Sequence, residues 1–191
     1  MPVDAPDLAS ANLLVERLLP EHAGDLEGFC DRCESFFELI TGERDASARA
    51  AALLTGRPPG ITLEHKFVFG ILRGAELVAV VDLLEGFPVV SEWYVGLLLV
   101  LPEMRQQKVG SAIWQAMESW VRSRGARCAR LLVQDQNPRA ARFWRSHGFF
   151  DEVRVTQRMT SRTNNCWQLA KRYDASAEER DTTLGFGERA R

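Results

Sequence analysis

The sequence predicts an α/β fold in which the central strand of a sheet empties directly into a helix. Three observations predict it. The apolar run W-Y-V-G-L-L-L-V at 93–100 leads through the polar turn L-P-E-M-R-Q-Q-K-V-G into an amphipathic helix beginning near Val109. Upstream, L-V-A-V-V-D-L-L at 77–84 is a β-rich run that reads as half of a hairpin, 65–72 with 76–84, joined by R-G-A. Downstream, a strand at 127–134 passes into a helix with Asn137 at its N-cap and Pro138 at its first position. A strand ending in a helix N-terminus presents unpaired N–H groups and the positive end of the helix dipole. That is a ready site for a phosphate-bearing ligand.

The remaining elements follow in order. Residues 12–19 read as a first strand, ended by Pro20. Across 21–40, Leu26, Phe29, Cys33, Phe36, Phe37 and Ile40 recur at helical spacing, so one or two helices form there. Their other face carries Glu21, Asp25, Glu27, Asp31, Glu34 and Glu38. Such a face is either simply solvated or rims a site that attracts an ammonium group. Gly42 stops that stretch, 44–54 forms another short helix, and T-G-R-P-P-G-I-T is a loop.

Asp82 stands alone among Val80, Val81, Leu83 and Leu84. It lies on an open face or needs a partner, because an unpaired buried carboxylate is costly. Gly96, inside the central strand, marks a bulge or a close backbone approach. Ile113, Ala116, Met117, Trp120 and Val121 form the apolar stripe of the following helix. Gly125 ends it, with Arg122 and Arg124 in the last turn. Gly148 closes the Asn137 helix, and 149–160 with 165–173 form a final strand pair. From 174 the composition is polar, giving one domain at 1–173 and a frayed tail at 174–191.

Composition narrows the function. At 191 residues and 46% hydrophobic, the chain suits one globular domain with a sizeable core. A formal net charge of −2 without a long basic block argues against nucleic acid as a partner. No apolar run approaches the roughly 20 residues needed to cross a bilayer, so no membrane partner is expected. The start M-P-V-D-A-P-D lacks the features of a signal peptide, and a cytoplasmic location is expected. Cys30 and Cys33 share a helix, while Cys128 and Cys166 sit alone. Neither a second close pair nor a catalytic turn accompanies them, so packing is the better account and no metal is expected.

Two segments together resemble the GNAT superfamily of acetyl-CoA-dependent N-acyltransferases. Val100, Pro102, Arg105 and Gly110 fit its first signature. Asn137, Ala140, Phe143, Gly148 and Phe149 fit the second, within N-P-R-A-A-R-F-W-R-S-H-G-F at 137–149. The likeness is dense from about Trp93 to Phe149. It departs at Lys108, where the first loop glycine is usual, and at Trp144, where a tyrosine is usual. The loop keeps its shape if Lys108 takes a negative φ, and the side chain adds a cation for the phosphates.

This resemblance implies a central mixed, mostly antiparallel sheet of six to seven strands with splayed parallel central strands, flanked by about four helices. It implies acetyl-CoA as co-substrate and an amine as acceptor, with a homodimer paired through the last strands as a further family habit. The pyrophosphate would lie over the amides of Gln106, Gln107, Lys108, Val109, Gly110 and Ser111, with Arg105 beside them. The pantetheine arm would pair with the backbone of Leu98, Leu99 and Val100. Asn137, Phe143 and Trp144 would complete the cofactor wall. The Leu98 or Leu99 N–H would meet the acetyl oxygen.

The proton acceptor is the open position. Some family members carry a glutamate where Leu132 stands here, leaving Glu92, Asp82, Glu85, Tyr94 or a water relay. Glu92 and Asp82 are the favoured pair: Glu92 precedes the central strand near the expected acceptor end, and Asp82 is an unusual strand carboxylate. Trp144 cannot protonate the departing thiolate as a tyrosine would. A thiol of pKa near ~8.5 nevertheless leaves tolerably unaided. His147 is a substitute acid only if it is not simply a surface residue near the helix C-cap.

Acidic residues before Ile40 point to a cationic amine; Arg57, Lys66 and Arg73 point equally to one bearing a carboxylate. The resulting reading is an N-acetyltransferase acting by direct attack in a ternary complex. The alternatives are a GNAT-fold module that binds acyl-CoA with little catalysis, and an unrelated α/β domain binding another phosphate ligand.

Overall fold

A computed structural model describes residues 5–159 and 162–173. Among them lie seven strands in one sheet and five α-helices: β1 Leu14–Leu18, α1 Ala23–Arg32, α2 Glu34–Ile40, α3 Ala46–Thr55, β2 Lys66–Arg73, β3 Glu76–Glu85, β4 Glu92–Val100, α4 Val109–Ser123, β5 Cys128–Gln134, α5 Pro138–Ser146, β6 Phe150–Arg158 and β7 Thr163–Arg172. The polar tail expected at 174–191 lies outside the described residues. The strand order is β1-β2-β3-β4-β5-β7-β6. Every neighbouring pair is antiparallel except β4–β5.

The stretch 21–40 is two helices because the chain breaks at Cys33, whose φ of −104° and ψ of 15° leave the helical range. This break accounts for five helices where the resemblance implies about four. All six acidic residues of that face are exposed. The α3 start is fixed by Asp45, whose side chain accepts from the amides of Ser47 and Ala48 at 2.9 and 3.2 Å.

One side of the sheet packs on α4 through interlocking aromatic rings. Trp120 meets Phe67, Phe69 and Trp93 edge-on at centroid distances of 5.2–5.3 Å. Such rings each bury a large apolar area and add a directional contact. Trp114, Trp144 and Phe149 form a second cluster between α4 and α5. All four cysteines are buried free thiols. Burial pushes Cys30 up to about 12 and Cys33 up to about 11, so both stay protonated packing groups at neutral pH.

Gly96 is the expected bulge. The β3–β4 register runs Leu83↔Val95 and then Asp82↔Leu97, leaving Gly96 unpaired. The parallel β4–β5 ladder spans only Glu92↔Cys128 to Tyr94↔Arg130, after which the two strands part. A wedge therefore opens toward the C-terminal ends of both strands.

Candidate active site

The β3–β4 ladder decides which amides of β4 are free. Leu101 donates to the Val78 carbonyl at 3.0 Å, and Leu99 lies opposite Val80. Hydrogen-bonded positions alternate along an antiparallel pair, so 97, 99 and 101 address β3 while 98 and 100 address the opposite side. No strand pairs with β4 there, so the main chain of Leu98 and Val100 faces the wedge. Arg105 Nε donates to the Val100 carbonyl at 2.9 Å, as this geometry requires. Leu99, grouped with its neighbours from sequence, lends its side to a cavity wall but directs its amide at the sheet.

Two cavities flank the wedge. The first, about 460 Å³, is walled by Leu98, Leu99, Val100, Arg105, Gln106, Lys108, Gly110, Ser111, Asn137, Phe143 and Trp144, with Phe36, Arg139 and Ala140. Gln107 and Val109 are not in its wall. Gln107 turns its side chain back to the Glu103 carbonyl at 2.8 Å, and Val109 is buried. Gly110 has no positive φ, and an added Cβ would stand at ordinary contact distance, 3.5 Å, from the Phe143 ring.

The loop itself corrects one expectation. In place of a negative φ, Lys108 adopts φ 62° and ψ 5°, and Gln106 has φ 64°. These left-handed residues curl the backbone as anion-binding turns do. For a lysine this conformation costs roughly 1–2 kcal/mol. Lys108→Gly will therefore raise the free energy of unfolding by about 1 kcal/mol in denaturant titration. It will at the same time weaken binding of a phosphate-bearing ligand at the loop about 3- to 10-fold, more at low salt, by removing a cation.

The second cavity, about 500 Å³, lies beneath α2 and α3 and above the bulge. Its walls include Phe36, Phe37, Glu43, Arg49, Gly96, Leu97, Leu98, Leu132, Gln134 and Gln157. Phe36, Leu98, Asn137, Ala140 and Trp144 belong to both cavities, which meet at Leu98. Asn137 caps α5 by accepting from Ala140 at 3.2 Å, and its amide nitrogen has no protein acceptor among the described residues. Trp144 packs against Trp114 and Phe143 at 5.0 Å and Phe149 at 5.1 Å, as a wall rather than an acid. His147 hydrogen-bonds through Nδ1 with the Phe143 carbonyl at 2.8 Å.

Of the two carboxylates favoured from sequence, Glu92 stands at the closed end of the wedge and lines neither cavity. Arg130 grips it through Nε at 2.6 Å and Nη2 at 2.9 Å, and also contacts Glu152. Both of its oxygens are therefore engaged by that guanidinium. Asp82 is paired with Lys66, Nζ to Oδ1 at 2.7 Å, a partner that also removes Lys66 from acceptor recognition. Its other oxygen, Oδ2, lies 2.7 Å from where a Cβ on Gly96 would stand. Asp82, like Glu92, lines neither cavity; its Oδ2 lies behind Gly96, which is exposed in the wedge and does line the second one. Burial raises the Asp82 pKa, and the Lys66 charge opposes that rise. Glu85 is drawn toward Arg124 and His65, and burial raises the Tyr94 pKa, keeping its phenol protonated.

Sequence reasoning missed the tie that holds α2 over this cavity. Asn164 is 2% exposed; its Nδ2 donates to the Ile40 carbonyl at 2.7 Å, and its Oδ1 accepts from Gln136 at 2.7 Å. Arg162 donates to the Leu39 carbonyl at 2.8 Å. No local pattern links residues so far apart. Asn164→Ala will cost about 1–3 kcal/mol, since it orphans a helix-end carbonyl. Denaturant titration will show that loss.

A strand wedge with outward amides, opening on a curled loop and a helix N-terminus, suits a phosphate-bearing ligand with an extended, amide-rich arm. The model of the acetyltransferase (GNAT) family matches residues 33–149, and the chain belongs to that family. It is similar in fold to an acetyltransferase from Thermus thermophilus, with TM-score 0.66, 20% identity, and 85% of this chain and 97% of that one covered. The ribosomal-protein-S18-alanine N-acetyltransferase from Escherichia coli aligns with TM-score 0.62 at 14% identity, covering 87% and 97%. The PaiA N-acetyltransferase from Thermoplasma acidophilum, solved in complex with coenzyme A, aligns with TM-score 0.60 at 18% identity, covering 84% and 99%. No curated protein matches the sequence. No described helix is long and apolar enough to cross a membrane.

Proposed function

We propose that the chain transfers an acetyl group from acetyl-CoA to a primary amine by direct attack in a ternary complex. The observation that carries this reading is the meeting of the two cavities at Leu98, whose N–H faces the wedge. The residues of the first cavity fit acetyl-CoA: a curled loop and helix N-terminus for the pyrophosphate, and the wedge-facing N–H groups of Leu98 and Val100 for an amide-bearing arm. The Leu98 N–H polarises the acetyl carbonyl, worth on the order of 3 kcal/mol in the transition state.

The amine nitrogen forms a bond to the acetyl carbon as the carbon–sulfur bond breaks. Its proton passes through one water to Asp82 Oδ2, and the sulfur leaves as thiolate without help from Trp144. A carboxylate with a raised pKa, held in place by Lys66, is a better base near neutrality than an exposed one.

Measured thiol release from acetyl-CoA across a panel of amines tests the reading. With a good acceptor, kcat/KM will rise with pH through a group titrating above the usual aspartate range, because only ionised Asp82 accepts the proton. Asp82→Asn will remove that limb. A chain stabilised by acetyl-CoA that frees no thiol with any amine would belong instead to the acyl-CoA-binding modules, the reading that Trp144 favours.

A further inference from the structure

The acceptor cavity carries two charged side chains that are satisfied differently. Glu43 is half-buried, and its carboxylate accepts the amides of Arg44 and Asp45 at 2.9 and 3.1 Å, where α3 begins. Half-buried, it keeps contact with water, which screens the charge that those neutral donors do not cancel. Arg49 is only 3% exposed. Its guanidinium donates to the Glu43 carbonyl through Nε at 2.9 Å and through Nη2, and to the Cys30 carbonyl through Nη1 at 3.4 Å. It also lies 5.1 Å from the Phe37 ring centroid. Carbonyl oxygens satisfy its N–H groups but bring no negative charge, and among the described residues no carboxylate lies within 4.0 Å of it. A cation taken out of water without a counter-ion is costly, and a ligand anion relieves that cost. The cavity wall beside it is largely apolar, through Phe36, Ile40, Leu53, Leu132 and Met159. None of the exposed acidic residues of α1 and α2 enters it.

Resting on the acetyl-transfer reading, we infer that the acceptor is an amine bearing a carboxylate on an apolar body, with the carboxylate seated against Arg49. A hydrophobic amino acid has this chemistry; a polyamine or aminoglycoside does not. The pocket would bind such a ligand by a charge-assisted pair at Arg49 and by apolar contact elsewhere.

The test compares thiol release by the full chain with leucine, methionine and phenylalanine, their primary amides, the corresponding decarboxylated amines, and spermidine. The acids will exceed their amides and amines in kcat/KM by at least about 10-fold, the scale of a hydrogen-bonded charge. Arg49→Gln will collapse that ratio to about 3-fold or less while leaving the KM for acetyl-CoA unchanged. Arg49 also ties the 41–45 loop to α1, so the wild-type comparison of acid with amide carries the result if the variant unfolds. Thiol release indifferent to the carboxylate, or greatest with spermidine, overturns this inference alone. No release with any amine overturns the acetyl-transfer reading and this inference with it.

Discussion

Asp82→Ala will lower the free energy of unfolding by about 3–5 kcal/mol, because it strands a buried ammonium. The Lys66 side chain is 1% exposed and its Nζ sits 2.7 Å from Asp82 Oδ1, so the substitution leaves that ammonium buried without its counter-ion. The paired replacement Lys66→Met with Asp82→Leu will recover most of that loss, since removing both charges also removes both desolvation costs. Denaturant titration with an unchanged slope measures each value. A double variant as unstable as the single one would show that the ion pair is not the source. Catalysis separates cleanly from stability here: if Asp82 is the proton acceptor proposed above, the restored double variant, though folded, will turn over about 100-fold or more slowly.

Leu98→Pro will lower kcat by about 100-fold or more while leaving the sheet largely paired. Proline in a central strand usually removes a ladder bond. At this position the amide faces the wedge rather than β3, so the ladder loses no donor. Retained near-ultraviolet circular dichroism beside a fallen kcat is the expected pairing of results. Proline at Leu97 or Leu99 provides the contrast, because those amides address β3; either should unfold the chain. Equal damage from all three would remove the oxyanion role assigned to Leu98.

Much of the frame was legible in the sequence because it rests on local chemistry. Asn137 and Pro138 declare a helix start whatever lies around them, and Gly96 declares an interruption in an otherwise continuous apolar strand. The rest required register or distance. Lys66 finds Asp82 across a hairpin whose pairing includes a slip at Leu72, so no spacing rule joins the two. Arg130 captures Glu92 only because β4 and β5 begin side by side. The break at Cys33 carries neither proline nor glycine, and the apolar period runs straight through it. Lys108 occupies a backbone well that its residue type disfavours, so propensity argues the wrong sign. Arg49 reads in sequence as one charge on a short helix; its isolation emerges only once α1, α2 and the 41–45 loop close around it.

The single unpaired glycine has a further effect along its strand. Before it, Gly86 donates to the Glu92 carbonyl at 2.9 Å, so even-numbered residues point their main chain at β3. After it, Leu101 donates to Val78, and the odd-numbered ones do. Gly96 is thus a parity switch: it turns the even amides, Leu98 and Val100, toward the wedge and keeps the odd ones for the sheet. In a regular ladder that kept Gly96 paired, the same sequence would turn Leu98 and Val100 toward β3 and leave Leu97 and Leu99 to face the wedge.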